Sequence, residues 1–532
     1  MLSRIFLLIA LLSLGLSSCS SPPQNRTAAH GASLDIQNDK LSVALAEAER
    51  ILARGIGSAE QRQAYATVVG RVSSLWLSLS DAKRSKMNVG PRYMLESRYP
   101  AHLRFDELIP AASIKSKEFK TRHLRDGVGA PMVAHWKYTA ERKASEPFMP
   151  EAGHISPVTA TLDFSQAAHG RHTAILTLHD ARVTDAVRFQ GKNQPLAADF
   201  SAHGEYLASI KQARMAGLKA LLRSANYMDK LGLLSLEHPA PGKIPLVLVH
   251  GLMSRPATWE NVIHEFTMDP LIRRHYQIFV FRYPSGVPIG YSSEKLRENL
   301  ATLHSILVKE GAGSTARNMV LIGHSMGGLV SKAQVQSSSE QRWGSALGTT
   351  PELLRIGQKE HDKLRKFFEF EANPNISRVI FAATPHRGSA VADSRLAHFG
   401  RKLVSLPVQA FGGTLQVVQN IAQRDPMLSK VFAHGMPTSV DNLSPHSFYV
   451  KVANTLPFRA GVHLHSIIGN HDGKALTDPK CSDGFVPYIS SHLQGVESEL
   501  IVTSDHSVHE RPEAIQEMRR ILHLHLKKLG LK

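Results

Sequence analysis

Val320-Leu-Ile-Gly-His-Ser-Met-Gly-Gly-Leu-Val330 is the stretch whose reading decides the fold. Residues 320–322 form a short apolar run with the look of a buried strand; it stops at Gly323, and the segment after Ser325 reads as a helix. Gly323 and Gly327 stand at minus two and plus two from Ser325, where any side chain would collide with neighbouring backbone if the serine sat on a strained turn. Such a turn lifts the serine oxygen clear of the sheet. It also sets the next backbone N–H, that of Met326, at the positive end of a helix, where negative charge is favoured. The five residues Gly-His-Ser-Met-Gly are by themselves equally compatible with an ordinary serine on a glycine-rich turn, so their surroundings have to decide.

Working outward, strand and helix patterns alternate. Residues 246–249 are a continuous apolar strand ending in His250-Gly251, followed by a helix through Trp259 and Val262. Residues 276–281 are the next strand, and Leu296, Leu300, Leu303 and Leu307 mark one face of the next helix. Further strands are expected at 378–382, 464–468 and 499–503, with a closing helix over 512–528. This alternation predicts an α/β fold with a doubly wound, mostly parallel sheet covered on both faces. In such sheets ligands sit beyond the carboxyl ends of the strands, and His250, Ser325, Thr384-Pro385-His386 and His506 all fall just past predicted strand ends.

The chain before this unit has a different texture. Leu41, Leu45, Ala48 and Leu52 recur at helical spacing, and Ser58 with Gln61 reads as a capping box for a second helix carrying Tyr65, Val68, Val69, Val72 and Trp76. Between about 100 and 200 the pattern alternates, as in residues 158–164 and 173–178, and predicts a small, mostly antiparallel β region. A long helical stretch over 203–234 then leads to Pro239-Ala-Pro241-Gly242, which is read as the hinge between domains 32–238 and 239–532. The role of 32–238 is not visible in its sequence; scaffold, substrate shelf and partner surface are all open.

Length and composition set bounds. A chain of 532 residues exceeds one ordinary core, and 42% hydrophobic with 20% charged residues describes a globular protein. The formal charge of +18 is scattered, with no run of five or six basic residues, so it reads as a solvated basic surface; no nucleic-acid motif is present and no nucleic-acid partner is expected. Arg4 precedes an apolar run over 5–16, too short to span a membrane as a mature helix but shaped like a secretory signal. That run ends in Leu16-Ser17-Ser18-Cys19, which resembles the lipobox of bacterial lipoproteins. The resemblance implies a signal peptide over 1–18, lipidation of Cys19 and a polar tether over 19–31. It also implies a place in the bacterial cell envelope, with Ser20 suiting the outer membrane and the membrane engaged through Cys19. Cys481 is then the second and last cysteine, read as a small apolar residue.

A serine hydroxyl needs a base to take its proton, and the base needs a third group to fix its tautomer. On a fold of this kind the order along the chain is nucleophile, acid, histidine. After Ser325, the loop following 464–468 offers Asp472, Asp478 and Asp483, and the last strand leads into Ser504-Asp505-His506-Ser507-Val508-His509. His506 directly follows the strand and is the expected base, with His509 as the alternative. A calcium loop using Asp472 and Asp478 matches no EF-hand spacing. Among 28 histidines, pairs such as His463/His465 and His523/His525 read as structural, and no H-E-x-x-H occurs; no metal site is expected.

Five segments together are more specific. His250-Gly251, Gly323-His-Ser-Met-Gly327, Ala383-Thr-Pro-His-Arg-Gly388, Ser482-Asp-Gly-Phe-Val-Pro487 and a histidine ahead of the closing helix resemble the lipase and esterase branch of the α/β-hydrolase fold, and are similar to the bacterial relatives of GPI inositol-deacylase lipases. The resemblance covers about 240–532. It implies Ser325 as nucleophile, Asp483 as acid with Asp472 as runner-up, His506 as base, and the backbone N–H groups of Leu252 and Met326 as oxyanion donors, with His250 and Gly251 shaping that loop. Residues 389–462, with Leu403, Leu406, Val408, Phe411, Val417, Val418 and Ile421 at helical spacing, read as a helical lid insertion. The expected activity is hydrolysis of carboxylic esters, lipids among them, without metal or organic cofactor. The alternatives are a thioesterase or acyltransferase on the same three residues, or a non-catalytic surface-binding lipoprotein.

Overall fold

The computed structural model describes residues 25–79, 85–114, 122–166, 171–207, 209–210, 231–240, 242–339, 369–389 and 438–531, together with 357, 358 and 362. Residues 1–24, which hold the stretch read as a signal peptide, Cys19 and the start of the stretch read as a tether, lie outside the described residues. Helix α1 (Asn25–Arg54) begins inside the stretch read as tether, 19–31. Its Leu41, Leu45, Ala48 and Leu52 are buried, as their spacing requires. Helix α2 (Ala59–Ser78) opens on the reciprocal cap expected: Gln61 N–H donates to Ser58 Oγ at 3.1 Å and Ser58 N–H to Gln61 Oε1 at 3.0 Å. Among the described residues no helix is long and apolar enough to cross a membrane.

The two helices cover one face of a six-stranded sheet formed by β1 (Lys86–Val89), β2 (Tyr93–Arg98), β3 (Glu107–Pro110), β4 (Ala130–Trp136), β5 (His154–Gln166) and β6 (His172–Asp180). Its order is β1-β2-β6-β5-β4-β3, antiparallel except where β2 runs parallel to β6. The sheet starts earlier than the alternation suggested, because β1 and β2 carry Lys86, Asn88, Glu96 and Arg98, which blur the apolar period. Tyr65 ties α2 to β5: its hydroxyl donates to Leu162 O at 2.7 Å and accepts from Leu162 N–H at 2.8 Å, so the buried phenol leaves no polar atom unmet.

The second sheet comprises β7 (Gly232–Leu234), β8 (Ile244–Val249), β9 (Tyr276–Arg282), β10 (Met319–His324), β11 (Ile376–Ala382), β12 (His463–Gly469) and β13 (Ser498–Val502). The order is β7-β9-β8-β10-β11-β12-β13, with all neighbours parallel except β7 against β9. This is the doubly wound, mostly parallel sheet expected from the alternating pattern. Period-2 geometry splits its side chains between two cores. Val247, Val249, Phe279, Phe281, Leu321 and Phe381 pack under α5 (Ile289–Lys309) and α6 (Met326–Lys332). Leu246, Leu248, Val320, Ile322 and Ile380 face α4 (Glu260–Met268) and α7 (Pro512–Lys528).

One expectation needs correction, and another falls on residues that are not described. The helical stretch read over 203–234 ends differently: residues 211–230 lie outside the described residues, and Gly232–Leu234 is strand β7, paired antiparallel with Val280–Arg282. A short run such as Leu231-Gly-Leu-Leu234 has no period to separate strand from helix, and the open edge of β9 decides. The second sheet therefore begins before the Pro239–Gly242 stretch read as the hinge. The apolar residues assigned to a lid, 403–421, lie outside the described residues. Within 438–462, Leu443, Val450 and Val452 are buried, and Ser389 N–H donates to Leu443 O at 2.8 Å, so this end of the insertion is packed onto the body.

Candidate active site

Ser325 sits between β10 and α6 with φ 54° and ψ −126°, a conformation that costs an L-residue on the order of 1–3 kcal/mol. Its backbone is held on both sides: Ser325 N–H donates to Ala382 O at 2.8 Å, and Gly328 N–H to Ser325 O at 2.9 Å. A Cβ on Gly327 would stand 2.2 Å from Val249 O, and one on Gly323 would stand 2.6 Å from Gly327 O, so both glycines are required by contact with backbone that cannot yield.

Around this serine the loops after β8, β12 and β13 converge. His506, four residues past β13, places Nε2 at 2.8 Å from Ser325 Oγ and Nδ1 at 2.7 Å from Asp483 Oδ2. Asp483 is fully buried, and its other oxygen accepts the N–H groups of Phe485 at 2.9 Å and Val486 at 2.7 Å, so the carboxylate is met on both sides and its direction is set. Asp472, the runner-up, instead lies exposed and ion-paired to Lys474 at 2.8 Å. His509, the alternative base, is buried, with Nε2 at 2.8 Å from Thr258 Oγ1, because the 3-10 turn over Val508–Glu510 swings it toward the helix side.

The loop after β8 leans on the same point. A Cβ on Gly251 would lie 2.9 Å from the Ser325 Cβ, which puts the Gly251–Leu252 backbone against the serine. Met326 opens α6, and the first N–H groups of a helix have no partner within it. His250 Nδ1–H donates to Gly251 O at 3.0 Å and the ring stacks on Tyr283 at 4.5 Å between centroids, while Tyr283 Oη donates to His250 O at 2.6 Å. Thr384 packs against the Gly328 backbone. His386 is buried edge-on against Phe381, at 4.7 Å between ring centroids.

Sequence reading passed over three of these supports. His324, inside the elbow itself, is bonded at Nε2 to His506 O at 2.8 Å and stacks on His509 at 3.8 Å; Thr258 and Tyr283 anchor His509 and the His250 loop. Only Tyr283, just past the end of β9, had a positional signal. The other histidine pairs are structural. His463 pairs with Glu497 at 2.7 Å, His465 is bonded to Ser498 Oγ at 2.7 Å, His523 to Asp269 at 2.8 Å, and His525 to the Tyr276 hydroxyl at 2.8 Å.

Burial acts unevenly on this histidine group. It lowers His250 to about 4, its bond to Gly251 opposing only in part. It lowers His509 to about 3, with the neighbouring His506 adding to the effect, and it holds His324 well below the ordinary range, assisted by His509 and His506. These three rings are neutral at pH 7, and their role is to pack and to orient.

The chain belongs to the alpha/beta hydrolase family, whose family model matches residues 246–517. Among solved structures it is similar to the Bacillus licheniformis lipase BlEst2. In the propeptide form the identity is 19% over 54% of this chain and 51% of that one, with a TM-score of 0.31. In the mature form it is 18% over 54% and 94%, also at 0.31. It is likewise similar to a thermophilic esterase from Thermogutta terrifontis, at 15% identity over 56% of this chain and 93% of that one, with a TM-score of 0.27. The chain thus spans about half the length of the propeptide form, 51%. No curated protein matches it.

Two predictions follow from the strain and from the neutral rings. Ser325→Gly and Ser325→Ala both lose the hydroxyl, but only glycine relaxes the backbone, so the glycine variant is expected to be more stable than the alanine variant by about 1 kcal/mol after the entropy of glycine is subtracted; equal urea midpoints would contradict a strained turn. Unfolded histidines bind protons near pH 6.5 that His250, His324 and His509 refuse when folded. Stability is therefore complete above about pH 6.5 and declines as pH falls toward 4, by up to ~1.4 kcal/mol per pH unit per ring. Urea midpoints measured at pH 7, 6 and 5 check this, and a midpoint independent of pH would contradict it.

Proposed function

We propose that the protein is a serine hydrolase of carboxylic esters that works through an acyl-enzyme on Ser325. The observation that carries the reading is the continuous hydrogen-bonded path from Asp483 through His506 to Ser325, at 2.7 and 2.8 Å. As Ser325 Oγ attacks the ester carbonyl carbon, His506 Nε2 accepts its proton, and Asp483 stabilises the imidazolium through Nδ1–H. The carbonyl oxygen takes up the negative charge and is received by the N–H groups of Leu252 and Met326, donors whose individual loss costs on the order of 3 kcal/mol in other hydrolases. His506 then gives the proton to the departing alkoxide. A water molecule, deprotonated by the same nitrogen, cleaves the acyl-enzyme and returns the serine. The His506 side chain is 21% exposed, whereas Ser325 and Asp483 are buried, so water reaches the group that has to activate it.

Apolar side chains support an ester with an apolar part. Phe485, 40% exposed, lies with its ring centroid 5.3 Å from that of His506, and the exposed Met253 directly follows Leu252. Residues 403–421 are assigned to a lid over this mouth on their helical apolar spacing alone. The narrower likeness to GPI inositol-deacylase relatives rests on the segments at 383–388 and 482–487, and the anchoring of the chain to a bacterial envelope through Cys19 rests on the lipobox resemblance.

A fluorophosphonate probe is expected to label the native protein and not the Ser325→Ala variant. Asp483→Asn and His506→Ala should each lower kcat/KM by on the order of 10^4-fold, while Asp472→Asn and His509→Ala retain the labelling rate within about tenfold. Native protein that fails to label beside a reactive control hydrolase would sink the enzymatic reading. A crippled Asp472→Asn would reassign the acid. Product analysis with an added alcohol or thiol ester separates hydrolysis from acyl transfer and thioester cleavage. For location, Cys19→Ala should move the protein from the membrane to the soluble fraction of cells, and unchanged membrane association would overturn the lipid anchor.

A further inference from the structure

Far along the chain from Ser325, three metal-ligating side chains meet where the N-terminal sheet abuts the hydrolase sheet. Glu146 caps helix α3 (Ala140–Ser145), His154 opens β5, and His238 lies between β7 and β8. Their ligand atoms all fall within 4.8 Å of one another. Glu146 Oε2 lies 3.1 Å from His154 Nε2 and 3.2 Å from His238 Nδ1. Around a tetrahedral zinc ion with bonds of about 2.0–2.1 Å, ligand atoms stand roughly 3.3 Å apart. The two distances to Glu146 Oε2 are thus within a few tenths of an ångström of what such an ion sets, and the two histidine nitrogens lie within 4.8 Å of each other.

The surroundings point the same way. His154 is 4% exposed, yet neither of its ring nitrogens makes a hydrogen bond; its 3.1 Å approach to Glu146 lacks the geometry of one. A buried imidazole without a partner is uncommon, because desolvation is then uncompensated. Glu146 is held the way metal carboxylates are held: its other oxygen accepts from Arg104 Nη1 at 2.9 Å and Trp136 Nε1 at 3.1 Å, which turns Oε2 toward the histidines. His238 Nε2 faces Glu310 Oε1 at 3.6 Å, a carboxylate on the far side of the ring from Glu146. Arg104 is the cation that opposes a metal here, and it is 44% exposed and bound to the oxygen that points away.

We propose that Glu146, His154 and His238 form a zinc-class divalent metal site that fastens the N-terminal region to the hydrolase domain. Two imidazoles and one carboxylate suit a borderline ion such as Zn²⁺ better than the hard cations, which prefer oxygen alone. The ligands come from both sides of a seam. Ile155 N–H donates to Leu236 O at 2.6 Å, Ser235 N–H to Phe148 O at 3.0 Å, and Arg282 pairs with Glu151 at 3.0 Å, so the two regions already run side by side at this point. A metal here closes that seam covalently in effect, and it takes no part in the chemistry at Ser325.

The test uses the full chain, purified, stripped with a chelator, dialysed and titrated with ZnCl2. Bound zinc is measured by elemental analysis, unfolding by heat, and geometry by the visible spectrum of Co²⁺ added in its place. One zinc per chain, a Tm raised by several degrees and a tetrahedral Co²⁺ spectrum are expected. His154→Ala and the milder His238→Gln should each weaken zinc by at least about tenfold, while His471→Ala, an exposed control, leaves it unchanged. If His154→Ala does not fold, His238→Gln decides. No stoichiometric zinc, or zinc equally tight in His238→Gln, would overturn the site; binding without a rise in Tm would overturn its role at the seam. None of these readouts depends on Ser325 being a nucleophile.

Discussion

The backbone conformation at Ser325 is the constraint on which the rest of this structure depends. A residue at φ 54° and ψ −126° does not stay there on local preference. It is kept by the pairing of β10 with β8 and β11, register Val249 with Gly323 and His324 with Ala382, which fixes the strand up to the residue before the turn. Helix α6 then fixes the chain after it, since Gly327 and Gly328 press against Val249 O and Thr384 with no room for a side chain. Strain of this size survives because two buried cores, one on each sheet face, make every relaxed alternative displace packed side chains.

That fixed point orders the histidines around it. His250, His324, His506 and His509 belong to one group of neighbouring rings, and burial works against charge on three of them. What separates His506 is its partner. It alone in the group is hydrogen-bonded to a carboxylate, and that carboxylate is oriented by two backbone N–H groups. The neutral rings matter by where they lie: His324 is bonded to the His506 carbonyl and stacked on His509, which is itself tied to Thr258, so the backbone that carries His506 is braced from α4's side of the sheet. Burial and stacking thus account for three rings of the group, and the fourth, His506, is the one hydrogen-bonded to a carboxylate.

Much of this was legible in the sequence, for definite reasons. Parallel strands buried on both faces are continuous apolar runs, so β8, β9, β10 and β11 stood out, and the Gly-x-Ser-x-Gly pattern marked a turn that only glycines permit. Choices between near neighbours were not legible to the same degree. His506 and His509 are three residues apart, and what parts them is the turn over Val508–Glu510. Asp472 and Asp483 occupy one loop, and the bridge between Ser482 and Pro487 turns only the latter inward. Strand β7 was hidden because three residues carry no period, and the Glu146, His154 and His238 cluster because its members are 84 residues apart at the closest crossing of the seam.

The N-terminal region is joined to the hydrolase by the same means that join strands within it. Strand β7 caps the edge of β9, and the chain leaving β7 continues to exchange backbone hydrogen bonds, from Ser235 to Phe148 O and from Ile155 to Leu236 O. Phe148 meanwhile packs edge-on against Phe279 of the hydrolase core at 5.8 Å, and the buried Arg182 pairs with both Asp180 on one side and Glu237 on the other. A buried guanidinium contributes little net stability once desolvation is counted, but it penalises every arrangement that leaves it without both carboxylates. Backbone bonds give the seam strength, and the buried charges give it register. An open sheet edge is a site for unwanted pairing, and here it is closed by a strand that the N-terminal region in turn holds down. The region is thereby part of what keeps β9, and through it β8 and the Gly251 loop, aligned with Ser325.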